Sequence, residues 1–560
     1  KKIRSPFRSG SREMTEKQKH SITEFSPQSN ESESSVDKIR LRAIVIGSGL
    51  GVLICLITPF NNAYRQGTPL GGGHFPLAPF YFLVWMMLIT ALIRWIIKGR
   101  KLITGKELLV SWALMVLLSG IAWTGLARTF FINLTAPYHF ATVENRWAEV
   151  LHPLLPQSWY PQSQEAIVNF YNGISGGRSM GWLEVLKSIP WDAWVGPLLG
   201  WTGFILLCYL VMICIINLLS KQPLYNERMH FPLLQVPLLM QEALDKNEFG
   251  RFITNRFLLA GILVPVCLHL INGLSFYYPS VPSILTLILA GQYFPKVGLF
   301  SGFIKLKLYI YPAFIGFAFL TSKQVSFSFW FFYFAGTLLI GLLAVLGINI
   351  PAAALGVTFG PVISRPEETQ MIGAYLVFFV FLAWLARFHF LDTILKGFGV
   401  RKEDNLSAEW LSIRLSFWGF VIGGLGIIIW CHYFGIPFLF SFLVVGAFFL
   451  FTLVATRVIC QGGIAYFTLT AAPIDGLMAF CSSSFFTNTG ILVAGVVQKI
   501  LFVDLRECLL PSLLHTRKVT EKISNTRWIF MTIVIVLVIG VASSFLAMLA
   551  LCYKYGVREL

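Results

Sequence analysis

Charged residues are scarce in this sequence. They make up 13% of the 560 residues, whereas 56% are hydrophobic and 15% are aromatic. Soluble globular proteins have about 25% charged residues, so this chain cannot cover its whole surface with polar groups. The composition excludes a soluble globular protein, a single-span receptor and a β-barrel, and it places the chain in a membrane as a polytopic protein.

Catalytic and metal-binding motifs are also missing. The nine cysteines form no CxxC pair or similar ligand spacing, and they lie in or beside apolar runs. We therefore expect neither a disulfide framework nor a zinc site. The sequence has no Walker A loop, no HExxH, no GxSxG and no paired acidic motif. We expect a protein that is not an enzyme and needs no cofactor, so any transport would be passive or driven by an ion gradient.

The positive charge is concentrated between apolar runs. The net charge is +17. A nucleic-acid partner is one explanation, but the positive-inside rule for loops of membrane proteins explains the pattern better, and we expect no nucleic-acid binding. The basic clusters are Lys38 to Arg42, Arg94 to Lys106, Lys221 with Arg228, Arg251 with Arg256, Arg387 to Lys402, and Arg506 to Arg527. If these face the cytoplasm, the N-terminus is inside and residues 133–190 are outside.

Eleven apolar stretches are long enough to cross a bilayer. They are 42–60, 77–98, 107–131, 193–219, 256–278, 308–322, 325–348, 370–388, 411–433, 436–456 and 528–552. Two further apolar regions are broken by Gly, Pro and Ser. The predicted fold is all-α, a polytopic membrane protein with about 11 to 13 transmembrane helices and re-entrant or broken segments.

The chain divides into four regions. Residues 1–38 mix charge, Ser and Gln without apolar periodicity, so we expect a disordered cytoplasmic tail. Residues 39–132 hold the first three transmembrane helices. Residues 133–190 form an extracytoplasmic loop, where 144–156 has the helical spacing of a short amphipathic helix. Residues 191–560 form the remaining bundle, with broken segments near 279–304 and 460–498.

The broken segments indicate where a binding path would lie. Non-helical backbone inside a bilayer must line a cavity or be buried in protein. Asp475 is the one carboxylate near the middle of residues 460–490, and it is either a cation or substrate site or a helix cap. Polar side chains follow it at Ser482, Ser483, Ser484 and Asn488. We expect this group to bind a coupling cation or a substrate amine.

Other polar residues are second-line candidates. Residues 228–240 predict either an interfacial amphipathic helix or a helix folded back into the membrane, and the second alternative places Gln235 in the cavity. His269 lies within the fifth apolar stretch, and Arg457 is expected to extend to an interface. The glycines of GSGLG (47–51) and GGLG (423–426) predict close helix packing.

Three stretches carry a resemblance to a known family. They are ENRWAEVLHPLLP (144–156), PWDAWVGPLLGWTGF (190–204) and YNERMHFPLLQVPLLMQEAL (225–244). The chain after residue 40 resembles a functionally uncharacterised prokaryotic family of polytopic membrane proteins, which is distantly similar to the oligopeptide transporter superfamily. The counterparts of that superfamily's motifs would be Glu227, Arg228, Phe231 and Pro232, then Asp504, Arg506, Glu507, Pro511 and Lys518. The superfamily's Lys-Thr-Gly-Tyr element is absent.

Two functions remain open from the sequence. The first is a secondary transporter of a small polar solute such as a peptide or metal chelate, in the prokaryotic cytoplasmic (inner) membrane. The second is a non-catalytic membrane subunit or scaffold of a larger complex. The expected partners are membrane lipids, the solute or a coupling cation, and a second copy or other subunits of a membrane complex.

Overall fold

The computed structural model describes residues 39–97, 103–122, 124–348, 366–402, 409–467, 473–481, 486–501, 508–521, 523 and 526–560. Of the described residues, 76% are helical. One pair of two-residue antiparallel strands is described, β1 (Leu287–Ile288) and β2 (Leu308–Tyr309). The all-α prediction is confirmed, while the predicted tail of residues 1–38 lies outside the described residues.

The helices are numbered in chain order. The first half of the chain has α1 (Leu41–Pro59), α2 (Leu77–Ile96), α3 (Gly105–Ala122), α4 (Thr129–His139), α5 (Trp147–Val150), α6 (Gln164–Asn172), α7 (Trp182–Ser188), α8 (Trp191–Leu219), α9 (Pro232–Asp245), α10 (Phe249–Ile253) and α11 (Arg256–Tyr277). The second half has α12 (Pro312–Leu320), α13 (Lys323–Val345), α14 (Pro366–Leu385), α15 (Arg387–Gly397), α16 (Ile413–Tyr433), α17 (Phe438–Gly462), α18 (Pro473–Phe480), α19 (Asn488–Leu501), α20 (Leu509–Val519) and α21 (Thr526–Tyr555).

Ten of the eleven predicted spans correspond to membrane-length helices. In the described part of the chain, nine helical runs are long and apolar enough to cross a bilayer. A tenth is the α14–α15 pair, which is bent by 68°. The protein is therefore a multi-pass membrane protein, with fewer membrane-length helices in its described part than the sequence predicted.

The predicted span 308–322 is wrong. Residues 308–309 belong to β2, and the helix that follows, α12, has nine residues. At 1.5 Å per residue it is about 14 Å long, half the thickness of a bilayer core. Pro312 starts this helix, and Ser322 starts the next by accepting a hydrogen bond from the amide of Val325. Apolar composition alone did not reveal these two helix boundaries.

Three helices that run in the same direction form the centre of the packing. Arg42 and Glu107 form an ion pair at one end of α1 and α3. Farther along, a Cβ on Gly47 would lie 2.7 Å from the Cα of Ser111, and one on Gly540 of α21 would lie 2.2 Å from Leu118. The absence of side chains at these glycines lets α1, α3 and α21 approach closely.

Glycines also bring α8 and α16 together. A Cβ on Gly423 would lie 2.5 Å from Val211, and one on Gly426 would lie 3.3 Å from Leu207. The register, in which residue numbers rise on one helix and fall on the other, shows that the pair is antiparallel. The predicted packing role is confirmed for Gly47, Gly51, Gly423 and Gly426, whereas a Cβ on Gly49 or Gly424 would meet no atom within 4 Å.

Residues 140–190 carry three short helices rather than one amphipathic helix over 144–156. The helix found there, α5, has four residues, and Pro153 and Pro156 follow it. The later part of this region is held to the end of α21 by Lys554. Lys554 is 6% exposed, and its ammonium group donates hydrogen bonds to the carbonyls of Gly177 and Met180 and lies 5.2 Å from the Trp182 ring centroid.

Lys554→Met should loosen this attachment. The substitution keeps most of the apolar stem but removes a buried charged donor, so we expect a loss of about 2 kcal/mol in stability. Thermal unfolding in detergent and limited proteolysis between Gly173 and Gly181 measure the effect. Lys187→Met on α7, where the lysine is exposed, is the matched control. Equal proteolysis rates for the two variants would contradict a role for Lys554 in holding this region.

Candidate functional site

The connection between α1 and α2 folds back into the helix bundle. The amide of Ala78 donates to the carbonyl of Leu70 (2.9 Å), and a Cβ on Gly71 would lie 2.3 Å from the carbonyl oxygen of Ser119. Ser119 lies in the interior of the continuous run Gly105–His139. Residues 71–74 are buried. Non-helical backbone is therefore packed against the middle of a membrane-length helix.

The end of α17 meets this connection. Gly463 terminates α17 with φ +68°, a conformation that favours glycine. The chain then continues without helix, and the carbonyl of Ala465 accepts a hydrogen bond from the amide of His74 (2.8 Å). A Cβ on Gly73, which has φ +82°, would lie 2.7 Å from that carbonyl. Two helix interruptions far apart in the sequence are thus in direct contact.

The beginning of α9 contributes a third interruption. A Cβ on Gly463 would lie 2.5 Å from Pro232, the first residue of α9. The other end of α9 is held near the α2–α3 connection, where Asp245 accepts from the amide of Gly105 (2.7 Å) and Arg94 donates to the carbonyl of Leu244. The helix packs against α2, α3, α12 and α17. These contacts favour the alternative of a helix folded back among the others.

The break between α12 and α13 is the fourth interruption. The Oγ1 atom of Thr321 would lie 3.5 Å from a Cβ on Gly463. We call the meeting point of residues 70–74, 231–232, 321–322 and 463–466 the helix-break junction. Each segment supplies backbone groups that an uninterrupted helix would have used internally.

A cavity of about 310 Å³ opens beside the helix-break junction. Aromatic side chains of α12 and α13 and residues 463–466 line it, including Phe314, Phe317 and Tyr466. Thr321 and Ser326 add hydroxyl groups, and the Thr321 hydroxyl donates to the carbonyl of Phe317 (3.0 Å). A mostly apolar cavity with a few polar groups can hold and orient a small solute. We call this space the α12–α13 cavity.

An ion pair lies near the junction. Arg457 of α17 pairs with Glu227, and the two side chains are 17% and 19% exposed. Gln222 donates to the other Glu227 oxygen (2.9 Å), and the Arg457 Nε group donates to Gln461 (2.8 Å). Both charged residues line a second cavity of about 120 Å³ together with His389. Glu227 therefore neutralises Arg457, a pairing that the expectation of an arginine extending to an interface did not include.

The predicted site residues are not brought together in the described part of the chain. Asp475 is the third residue of α18, but its side chain lies outside the described residues, as do Ser482, Ser483 and Ser484. Gln235 is half-buried on α9 and His269 is exposed on α11. Neither lines the α12–α13 cavity.

Asn488 lies at the other end of α17 from the cavity. It is exposed at the start of α19. Two residues later, a Cβ on Gly490 would lie 3.0 Å from Pro437, which immediately precedes α17. The cavity borders Gly463, which follows the last residue of α17. Because α17 has 25 residues, the two ends are about 37 Å apart.

Two features of this site were not predicted from the sequence: residues 70–74 and the pairing of Glu227 with Arg457. A signal for the first was present, since three consecutive glycines (71–73) lie between Pro69 and Pro76 beside apolar helices. Such a run cannot continue either helix and can pack closely against another backbone. No sequence signal connects Glu227 with Arg457, which are separated by several helices.

Comparison with known protein families gives a match over nearly the whole chain. A family of unknown function, DUF6785, matches residues 33–560. The chain belongs to the DUF6785 family. No curated protein and no solved structure matches it. The resemblance to an uncharacterised family is therefore confirmed for DUF6785, whereas no link to the oligopeptide transporter superfamily is found.

Proposed function

We propose that this DUF6785 protein is a secondary transporter, ion-coupled or passive, of a small polar solute such as a peptide or metal chelate. One observation carries the proposal: four helix interruptions meet at the helix-break junction, beside a cavity with hydroxyl groups in its lining. A protein that only packed against lipid or other helices would not need non-helical backbone there. Discontinuous helices beside a substrate cavity are a recurrent construction in secondary transporters.

Alternating access would involve the segments that end at the junction. The α12–α13 pair packs mainly on residues 299–305 and otherwise contacts α9 and residues 463–466, so it can move together with residues 299–305 with little disturbance of the α1–α3–α21 packing. Movement of this pair would change access to Thr321 and Ser326. The solute would cross in contact with these hydroxyl groups and with residues 463–466, which line the same cavity.

Asp475 remains the proposed coupling residue, with Ser482, Ser483 and Ser484 as accompanying oxygen donors. The neighbouring amide of Ile474 donates to the side-chain oxygen of Gln498 (2.7 Å), and Gln498 is 8% exposed. This bond satisfies one of the backbone amides at the start of α18, which have no acceptor within the helix. A carboxylate at such a position can bind a proton or Na⁺.

Uptake into liposomes tests the proposal. Purified protein is assayed with labelled small peptides and metal chelates, with and without a proton or Na⁺ gradient. We expect gradient-stimulated uptake by the wild type, and loss of most of that stimulation in Asp475→Asn. Asp192→Asn, which changes an exposed carboxylate at the start of α8, is the matched control. Absence of wild-type uptake of every solute would contradict transport, and equal stimulation in Asp475→Asn would contradict the coupling role.

We place the transporter in the prokaryotic cytoplasmic membrane with its N-terminus inside. The ion pair and hydrogen bonds that align α1 with α3, and the contact of α21 with α3, support a common starting side for these helices. Basic residues precede all three helices, in agreement with the positive-inside rule. The orientation would be tested in intact cells, by labelling single cysteines that are introduced into residues 140–190 of the protein.

The alternative function, a scaffold within a larger membrane complex, is favoured by a different observation. No residue of α11 is buried within the described part of the chain, and α13 buries only Thr337 and Gly341. Helices so weakly attached to their own chain can be contact sites for another subunit. Co-purification of a stoichiometric partner by the wild type, together with no uptake of any solute, would favour this alternative.

A further inference from the structure

Helix α11 carries an ionisable residue, His269, far from both helix ends, where lipid would solvate its polar ring poorly. His269 is the fourteenth of 22 residues in α11, so it lies about 12 Å from one helix end and about 20 Å from the other. It is exposed, and within the described part of the chain no hydrogen bond or ion pair is found for its ring. Polar residues at such depth almost always face protein or water.

The nearby polar side chain of Asn272 is hydrogen-bonded to the backbone of its own chain. Its side-chain amide donates to the carbonyl of Ile284 (3.0 Å), and its oxygen accepts from the amide of Ile284 (2.7 Å). Both polar groups of Asn272 are thus satisfied by the chain itself. His269 lies three residues earlier, about 60° around α11, and within the described residues no such bond is found for its ring, so it needs a partner from elsewhere.

His269 lies in the middle of a regular stripe of exposed residues. The stripe consists of Leu259, Ile262, Val266, His269, Gly273 and Phe276. The steps from Leu259 onwards are 3, 4, 3, 4 and 3 residues, which is the spacing of a helix-pairing seam. Its four apolar side chains are all at least 49% exposed. A Cβ on Gly273 would meet no other atom within 4 Å, so another helix can approach there.

A second copy of this chain fits the stripe better than an unrelated helix. Copies inserted in the same direction place α11 beside α11 in parallel, so each seam residue meets its own counterpart at the same depth. The two His269 rings then face each other. A neutral imidazole has one N–H donor and one acceptor nitrogen, so the two rings can form an N–H···N hydrogen bond.

The available area is also sufficient. A helix of 22 residues is about 33 Å long and about 10 Å wide, so α11 offers a face of about 330 Å². Helix α13 has 23 residues and is nearly as uncovered. An interface that also included α13 and exposed side chains of residues 278–311 would approach the ~800 Å² per partner of a stable complex.

We infer that this protein forms a parallel homodimer through the α11 stripe, with the two His269 side chains hydrogen-bonded to each other across the interface. The inference goes beyond the proposed function, because the dimer can form whether or not the chain transports a solute. It assigns His269 to subunit association and removes it from the solute-binding residues.

Disulfide cross-linking in native membranes tests the geometry. The background variant is Cys267→Ala, because Cys267 is exposed on α11 about 160° around the helix from His269. Ile262→Cys, Val266→Cys and Phe276→Cys are each added to this background and treated with an oxidant. We expect each to give a disulfide-linked dimer, while the background alone reports any linkage through the other cysteines.

Two proteins, the wild type and one further variant, are controls for the opposite face of α11. The wild type keeps Cys267, and Leu274→Cys in the Cys267→Ala background places a thiol on the same far side. Neither should be linked at the rate of the stripe variants. Linkage of the far-side cysteines at an equal rate, or no linkage at any stripe position, would overturn the inference.

The role of His269 is tested separately by energy transfer between differently labelled copies at increasing lipid dilution. Intramembrane hydrogen bonds contribute about 0.6 to 2 kcal/mol, so His269→Leu should weaken association about 3- to 30-fold. His269→Asn, which can still donate and accept, should restore most of it, and Cys267→Ala should leave it unchanged. Equal association of the wild type and His269→Leu would overturn the histidine pair.

Discussion

Ala318→Trp is expected to reduce the initial rate of solute uptake more than ~10-fold, a barrier increase of about 1.4 kcal/mol. Ala318 is exposed to the α12–α13 cavity and lines it together with Thr321 and residues 463–466. An indole ring there would occupy much of a space of about 310 Å³. It would also hinder α12 from approaching residues 463–466. The measurement is uptake into liposomes of whichever peptide or chelate the wild type carries.

The control for this variant is Ile315→Trp. Ile315 is 63% exposed on the same short helix but does not line the cavity. The Ile315→Trp substitution places the indole ring on an exposed surface of α12, where it displaces no neighbouring backbone. Uptake should therefore stay near the wild-type rate. Both variants should elute as folded protein from a size-exclusion column. If Ala318→Trp transports as fast as Ile315→Trp, the cavity is not on the solute path.

Gly47→Val should have the largest effect on stability, at or above the ~3 kcal/mol upper range for overpacked cores. A Cβ at Gly47 would lie 2.7 Å from the Cα of Ser111 and 2.8 Å from its carbonyl oxygen. These are backbone atoms of a helix, which cannot rotate away as a side chain can. The α1–α3 pair would separate, and the hydrogen bond from the Ser111 hydroxyl to the carbonyl of Ala43 (2.7 Å) would break.

Gly49→Val separates this packing effect from helix propensity. Gly49 lies two residues later in α1, and a Cβ there would meet no atom within 4 Å. Valine in place of glycine should be neutral or slightly stabilising at Gly49, because it reduces the freedom of the unfolded chain. Thermal unfolding and the yield of monodisperse protein in mild detergent measure both variants. Similar yields and midpoints would show that α1 and α3 pack less closely than the distances indicate.

Close helix contacts could be predicted because their signal is local. The glycines at 47, 51, 423 and 426 follow the spacing of one helix face, and their lack of a side chain matters only where another helix approaches. Membrane-length helices could be predicted for the same reason, since apolar length is a property of consecutive residues. The failure at 308–322 follows from the same rule, because an apolar composition does not distinguish a strand and a nine-residue helix from one continuous span.

The candidate site was predicted only in outline. The sequence indicated that interrupted segments near 279–304 and after residue 460 mark a binding path, and the cavity does border residues 463–466. Its other wall, however, is α12 and α13, which lie beyond the first of these segments. Asn488, Gln235 and His269 were grouped by polarity alone, and the structure separates them from the cavity.

By itself, the sequence determined that this protein is a helical, multi-pass membrane protein, because the free-energy cost of placing charge and free backbone groups in lipid acts on each segment separately. Only the tertiary structure decided that Gly73, Pro232 and Thr321 meet residues 463–466, that Glu227 neutralises Arg457, and that α11 is left uncovered. These outcomes depend on how whole helices pack. Residues hundreds of positions apart are brought together by that packing, and no pattern of neighbouring residues encodes it.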